Sequence, residues 1–249
     1  MLSWQKVIRE GNTSMEIQMI ARIENNYVDK FGIPRQSGFA DTVKARIVFA
    51  PQYRNPDAFR GIEGYSHLWL LWEFSETGMK PGEWTPTVRP PRLGGNKRVG
   101  VFATRSPFRP NALGLSSVRL LGVDYDCPDA PVLLVSGADL LSGTPIYDVK
   151  PYLPYTDSHP DATSGFAGAF VDYRLQVTIP DEVRERALSC NVEQKVLTEI
   201  EEVLSQDPRP AYQNDPQRIY RMRYGLYEVA FTVADGAVTV AEIVVMEDA

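Results

Sequence analysis

The stretch GGNKRVGVFATRSPFRPNALGLSSVRLLG, from Gly94 to Gly122, has two parts of different character. Its end, SSVRLLG, reads as the start of a strand. Before it lie two Pro-bounded turns that carry Arg98, Arg105 and Arg109 and fit neither helical nor strand periodicity. A long irregular segment inside a folded domain must satisfy its backbone polar groups away from any ladder, and such segments are commonly functional. Charge also sets this region apart. Between Glu83 and Asp124 there is no acidic residue but seven basic ones: Arg89, Arg92, Lys97, Arg98, Arg105, Arg109 and Arg119. The chain's net charge of −6 leaves −13 for everything outside that window. A basic zone in an otherwise acidic protein reads as a surface for an anionic partner.

Around this stretch the chain is strand-like from about residue 15 to 150. MEIQMIARIE alternates roughly every second residue, and VKARIVFA ends at Pro51. SHLWLLWEF is short and almost wholly apolar, and SSVRLLGVDY and PVLLVSGADLL follow. Short strands between Gly and Pro turns predict a sheet closed on itself or a sandwich. KPGEWTPTVRPPRLGG reads as a long, stiff loop. Residues 151–180 are transitional, with PYLPYTDSHPDA a loop and FVDYRLQVTIP a strand. After Pro180, DEVRERALSCNVEQKVLTEIEEVLSQ is helical with an interruption. Asn191 is placed to cap the second piece, with Gln194 in a box-like position. Val192, Val196, Ile200, Val203 and Leu204 form an apolar stripe that Asp207-Pro208 ends. IYRMRY, LYEVAFTV and VTVAEIVV are strands, the last two joined by Ala234-Asp235-Gly236. The predicted organisation is a poorly structured leader over 1–14, a mainly β domain over 15–165, and a small α+β domain over 166–249.

With 249 residues, 43% apolar and 23% charged, the composition is that of a soluble globular chain. No apolar run approaches the roughly 18 residues that span a bilayer, and MLSWQKVIREGNTSMEIQ lacks the apolar core of a signal peptide. Cys127 and Cys190 show no CxxC spacing and read as reduced thiols of a cytosolic protein. With His67 and His159 as the sole histidines, no metal site is expected. There is no G-x-S-x-G elbow and no GK[ST] phosphate loop, and Gly94, Gly95 and Gly100 do not follow a strand or open a helix.

Four segments remain as candidate sites. In the basic stretch the Arg spacing matches neither a helix face nor a strand face, and the residues between are Gly, Pro, Thr, Ser and Asn. Arg forks around carboxylates and phosphates, so a pocket gripping an anionic group fits this pattern. Ile33-Pro34-Arg35-Gln36 is a stiff turn that projects Arg35 and Gln36. In Ala138–Pro145, Asp139 closes an apolar strand before a turn. Asp207–Tyr212 puts Arg209 and Tyr212 on a rigid extended stretch, suited to stacking on bases, to phosphate, or to bracing a domain interface.

Taken in order, PRQ (Pro34–Gln36), GYSHLWLLW, VRPPRLGGN, GVFATRSPFRPNALGLSSVRL, DLLSGTP, DVKPYLPY and DPRPAY resemble the TsaA-like family, from about Glu16 to the end of the chain. The resemblance implies an N-terminal single β-barrel that binds S-adenosyl-L-methionine, followed by the α+β domain. It also implies methylation of N6 of threonylcarbamoyladenosine beside the anticodon of threonine-accepting tRNA, by a homodimer with its cofactor sites near the subunit contact. By motif, the cofactor pocket would use Pro34, Arg35, Gln36, Phe74, Ser75, Arg105, Leu115, Asp139, Leu140, Gly143 and Thr144. Asp139 would be the general base. The tRNA would meet Arg89, Arg92, Lys97, Arg98 and Arg109, joined by Arg209 and Tyr212. The alternatives are a methyltransferase for another RNA or a small molecule, and a non-catalytic module that binds S-adenosylmethionine or RNA. Two positions depart from the family pattern: Ser75 stands where many relatives carry His, and Ser142 where many carry Asp.

Overall fold

The computed structural model describes residues 16–80, 83–94, 96–209, 213 and 215–246. The expected leader over 1–14, Tyr212 and the side chain of Arg92 lie outside the described residues.

Alternating burial makes the first half a barrel. The strands are β1 (Ala21–Glu24), β2 (Lys44–Phe49), β3 (His67–Glu73), the two-residue pair β4 (Thr87–Val88) and β5 (Val99–Gly100), β6 (Leu113–Asp124), β7 (Val132–Ser136) and β8 (Pro145–Pro151). Six of them close antiparallel in the order β1-β2-β7-β6-β3-β8, while β4 and β5 pair with each other on an excursion between β3 and β6. In β3, Leu68, Leu70 and Trp72 point into the core, and His67, Trp69, Leu71 and Glu73 lie on the outer, half-buried face. That outer face explains why the segment looks wholly apolar. Trp69 packs on Tyr152 at 5.5 Å and donates from Nε1 to Asp157 at 2.9 Å. The barrel interior is filled by Ile23, Ile47, Leu68, Leu70, Leu133 and Ile146, all fully buried. Each contributes roughly 1.5–3 kcal/mol relative to exposure. Strand β8 has no periodic signature in the sequence. Prolines bound it, and Ile146 alone of its residues is buried, so it carries no alternation signal. Its ladders to β1 and β3 nonetheless close the barrel.

After the barrel come a one-turn helix α1 (Pro154–Asp157) and a 3₁₀ turn at Gly165–Phe170. The strand expected over FVDYRLQVTIP shrinks to β9 (Gln176–Thr178). Helices α2 (Asp181–Ser189) and α3 (Gln194–Ser205) precede β10 (Tyr220–Tyr224), β11 (Tyr227–Ala234) and β12 (Ala237–Val245). The sheet runs β10-β11-β12-β9, with β9 parallel to β12. The predicted stripe Val192, Val196, Ile200, Val203 and Leu204 is buried in one core with Phe231, Val238 and Val240. Asp235 and Gly236 both have positive φ, which matches the twist of a two-residue hairpin. Asn191 does not cap α3. It is left-handed, at φ 61°, and ends α2, while Glu193 precedes α3 without a side-chain cap. Asn tolerates that conformation well, so the residue reads equally as a stop or a start.

The two halves are joined by more than a linker. Tyr27, Ala40 and Val43, from the loop between β1 and β2, are buried in the C-terminal core. Phe31 stacks on Phe231 at 6.3 Å. The Glu202 carboxylate on α3 accepts from the backbone N–H of Asp41 (3.0 Å) and Thr42 (2.9 Å). Gly32 has φ 109°, and a Cβ there would lie 2.5 Å from Met222 Sδ, so only glycine lets this loop press onto β10. The loop that carries Pro34, Arg35 and Gln36 is thus clamped between barrel and C-terminal sheet.

Candidate active site

A pocket of about 630 Å³ opens where the end of β3, the start of β6, the clamped loop and the Thr104–Arg109 turn meet. Its floor is built by one register position. Trp72 on β3 faces Gly114 on β6, and a Cβ on Gly114 would sit 2.3 Å from the indole ring. The missing side chain lets the indole lie across β6, where Trp72 Nε1 donates to the buried Ser116 Oγ at 3.0 Å. Ser116 Oγ in turn donates to Asp139 Oδ1 at 2.5 Å. A hydroxyl has a single proton. With the indole N–H on one lone pair, that proton is committed to the Asp139 carboxyl.

Asp139 lines the pocket, and its carboxyl is raised above the ordinary carboxylate range. Burial drives the rise and outweighs the opposing Ser116 hydrogen bond and the Arg105 charge. A carboxyl tuned upward is a better proton acceptor when ionised. At the rim Arg105 Nη1 donates to Gln36 Oε1, and Arg35 Nη2 donates to the Arg209 carbonyl at 3.1 Å. Across the pocket Glu73 accepts a hydrogen bond from Tyr147 on β8. Partial burial and the Glu73 carboxylate push the Tyr147 hydroxyl up to about 12. Arg109 Nη1 reaches back to the carbonyls of Thr104 (3.0 Å) and Ser106 (3.4 Å), holding the RSPFR turn in shape.

Of the expected cofactor residues, Pro34, Arg35, Gln36, Phe74, Ser75, Arg105, Leu115, Asp139 and Thr144 line this pocket. Leu140 and Gly143 do not. Leu140 is fully buried in the barrel core, and the Gly143 N–H donates to the Ile23 carbonyl, while Leu141 reaches the pocket instead. Ser142 also lies outside, its backbone N–H bonded to the Tyr27 carbonyl at 2.8 Å. Of the residues expected to meet tRNA, Arg89, Lys97 and Arg98 are exposed, and Arg98 donates to Thr87 Oγ1 at 2.8 Å. Arg109 lines the pocket. Arg209 is not presented to solvent. It is buried, with Nε and Nη2 on Asp207 at 2.9 and 3.3 Å, so it braces the turn after α3. Lys30, Glu73, Phe108 and Ser116 also line the pocket without having been singled out in the sequence.

Residues 22–158 match the family described as tRNA-methyltransferase O N-terminal domain, and residues 172–246 match the TrmO C-terminal domain. The Escherichia coli K12 protein named tRNA (adenine(37)-N6)-methyltransferase is 41% identical over 226 residues, which are 90% of this chain and 95% of that one. A Pseudomonas aeruginosa protein, RcsF, named only as a candidate S-adenosylmethionine-dependent methyltransferase, is 41% identical over 211 residues, covering 83% of this chain and 87% of its own. The fold agrees as well. The crystal structure of TrmO from P. aeruginosa superposes with a TM-score of 0.75 at 31% identity, covering 95% of this chain and all of that one. Barrel, clamped loop, pocket and C-terminal sheet therefore have one common origin: the chain belongs to the TrmO family of tRNA methyltransferases.

Proposed function

We propose that this enzyme transfers a methyl group from S-adenosyl-L-methionine to N6 of threonylcarbamoyladenosine at position 37, beside the anticodon of threonine-accepting tRNA, acting in the cytosol as a homodimer. One observation carries the reading: a buried carboxyl, Asp139, is held by Ser116 in a pocket that also offers cations and apolar walls. Those walls suit the methyl donor. Lys30, Arg35 and Arg105 match an amino-acid carboxylate, Phe74 and Phe108 supply flat apolar surface for adenine, and Glu73 suits positive charge or ribose hydroxyls.

When bound, the cofactor supplies a methyl group activated by its sulfonium. The chain's task is to align the acceptor nitrogen with it and to exclude water, effects worth up to about 7–11 kcal/mol in favourable cases. A nitrogen that receives the methyl group would have to give up its N6 proton, and holding that proton falls to the chain's own residues. The Asp139 carboxylate, lining the pocket, is placed to take it. A module that only sensed the cofactor would need no such acceptor, and that difference favours transfer over binding alone. The RNA meets the excursion that carries Arg89, Lys97 and Arg98. There Trp84 and Phe102 stack at 6.0 Å and are 44% and 72% exposed, a pairing of aromatic and basic groups suited to single-stranded bases. The acidic remainder confines RNA to this face and makes binding strongly salt-dependent. For the dimer, support comes from Leu115 and Leu121 on β6, which are 55% and 46% exposed.

The reading is tested in two steps. Calorimetry should show binding of S-adenosylmethionine and of its demethylated product; silence from both at high micromolar concentration would remove the cofactor. In a strain lacking its own enzyme of this family, this chain should restore the methylated nucleoside in threonine tRNA, read by mass spectrometry. An unchanged nucleoside profile would sink the substrate. Sedimentation that gives only monomer at every concentration would contradict the dimer.

A further inference from the structure

Beside the first pocket lies a second, of about 500 Å³, and the two share Lys30, Ile33 and Arg35 as a common wall. The rest of its lining comes from places far apart in sequence. Arg89 and Pro91 reach it from the basic excursion, and the end of α3 with the turn that follows, Val203 to Pro208, closes it from the C-terminal domain. Its size falls within the range of pockets that hold small organic ligands, roughly 300–1,000 Å³. Its chemistry favours an anion that carries a ring. Lys30, Arg35 and Arg89 line it, while Ile33, Pro91 and Pro208 supply apolar surface. Its acid, Asp207, is already engaged by Arg209 at 2.9 and 3.3 Å and by the Tyr173 hydroxyl at 2.9 Å. Lys30 lies 4.0 Å from Glu76, which belongs to the first pocket, so that pair sits at the junction.

We infer that this second pocket receives the nucleotide next to the target adenosine, with Arg89 gripping the phosphate that joins the two. This rests on the reading of the first pocket as the methyl-transfer site. An RNA base seated there belongs to a strand that must continue past the pocket, and the second pocket adjoins the first at Lys30, Ile33 and Arg35, two of them cations. The neighbouring base then lies against Pro91 and Pro208, as apolar and proline surfaces accept bases without reading their edges, and the phosphate finds Arg89. The C-terminal domain thereby takes part in substrate binding through the end of α3, not through the buried Arg209.

The test uses the full chain and an anticodon stem-loop RNA that carries threonylcarbamoyladenosine. Two versions are made for each flank of the target base: one with the natural phosphate and one with a neutral methylphosphonate. In the wild type, neutralising one of the two flanking phosphates should weaken binding roughly tenfold, the scale of one lost phosphate–arginine contact. In Arg89→Ala the same chemical change should cost less than about twofold, because its partner is gone. Arg89 lines the second pocket but not the first, so cofactor affinity should be equal in wild type and variant, which also shows that the variant is folded. Lys97→Ala, lacking contact with either pocket, should retain the full methylphosphonate effect. Equal losses in wild type and Arg89→Ala at both flanks would overturn the inference while leaving methyl transfer intact. Failure of the wild type to methylate the unmodified-backbone RNA would instead overturn the underlying reading.

Discussion

Removing one hydroxyl, in Ser116→Ala, should perturb stability and catalysis together. Ser116 is 1% exposed and bonds two partners, receiving from Trp72 Nε1 at 3.0 Å and donating to Asp139 Oδ1 at 2.5 Å. Alanine leaves the buried indole N–H without its acceptor and the carboxyl without its donor. An orphaned buried donor costs about 1–3 kcal/mol and a lost bond to a charged group about 1.5–3 kcal/mol. Because both losses share one hydroxyl, the expected total is roughly 2–4 kcal/mol rather than their sum. In a chain of this size that lowers the melting temperature by about 5–15 °C. The second consequence separates a functional chain of bonds from a structural one. The Ser116 bond works against the burial that raises the Asp139 carboxyl. Without it, the carboxyl rises further and ionises only at higher pH. The acid limb of the kcat/KM profile should therefore shift upward in the variant, measured with saturating cofactor and limiting tRNA. An acid limb that stays in place, with stability within about 0.5 kcal/mol of wild type, would refute the Trp72–Ser116–Asp139 arrangement.

Asp139→Asn should keep cofactor binding and lose roughly 10²- to 10⁴-fold in kcat, the usual weight of a general base; a loss below threefold would exclude that role. Its stability has a definite sign. Asp139 is raised in the folded state, so the stability it contributes is fully present below the unfolded carboxyl value and is lost as pH rises through the folded one. Chemical denaturation should therefore show Asp139→Asn gaining on wild type from pH 4 toward neutrality, and a difference independent of pH would contradict the burial argument. Gly114→Ala forces a methyl within 2.3 Å of the Trp72 ring and should cost at least about 1–3 kcal/mol, with a change in tryptophan fluorescence; a neutral result would mean that the indole does not cross β6 there. Arg105→Ala should weaken cofactor binding roughly 10- to 100-fold by calorimetry, the scale of one charge-assisted hydrogen bond, and unchanged affinity would move that guanidinium out of the cofactor site.

Much of this architecture is visible in the amino-acid order, for reasons that also explain the gaps. The alternation that contains β1 and the helical stripe of α3 each report a buried face, and both hold in three dimensions. Strand β8 has no such face, because its outer residues are half covered and prolines bound it, so nothing local marks it. The motif blocks locate segments of the site better than individual side chains. Within Asp139–Thr144, Leu140 turns into the barrel and Leu141 into the pocket, a choice made by the path of the turn and not by residue type. Ser116 and Glu73 are ordinary strand residues in the sequence. Their roles come from register, which sets Trp72 opposite Gly114 and brings Tyr147 to Glu73. Arg209 illustrates the reverse case, a cation on a rigid stretch whose partner, Asp207, stands two residues away.

The central claim is that one pocket brings a methyl donor to N6 of position 37 with Asp139 as proton acceptor. The most direct measurement incubates purified chain with S-adenosylmethionine bearing an isotopically labelled methyl group and threonine tRNA, then resolves the nucleosides by mass spectrometry. Label in the threonylcarbamoyladenosine nucleoside for wild type, and its near absence for Asp139→Asn despite retained cofactor binding, is the predicted result. Label in another nucleoside, or equal labelling by both proteins, would contradict it.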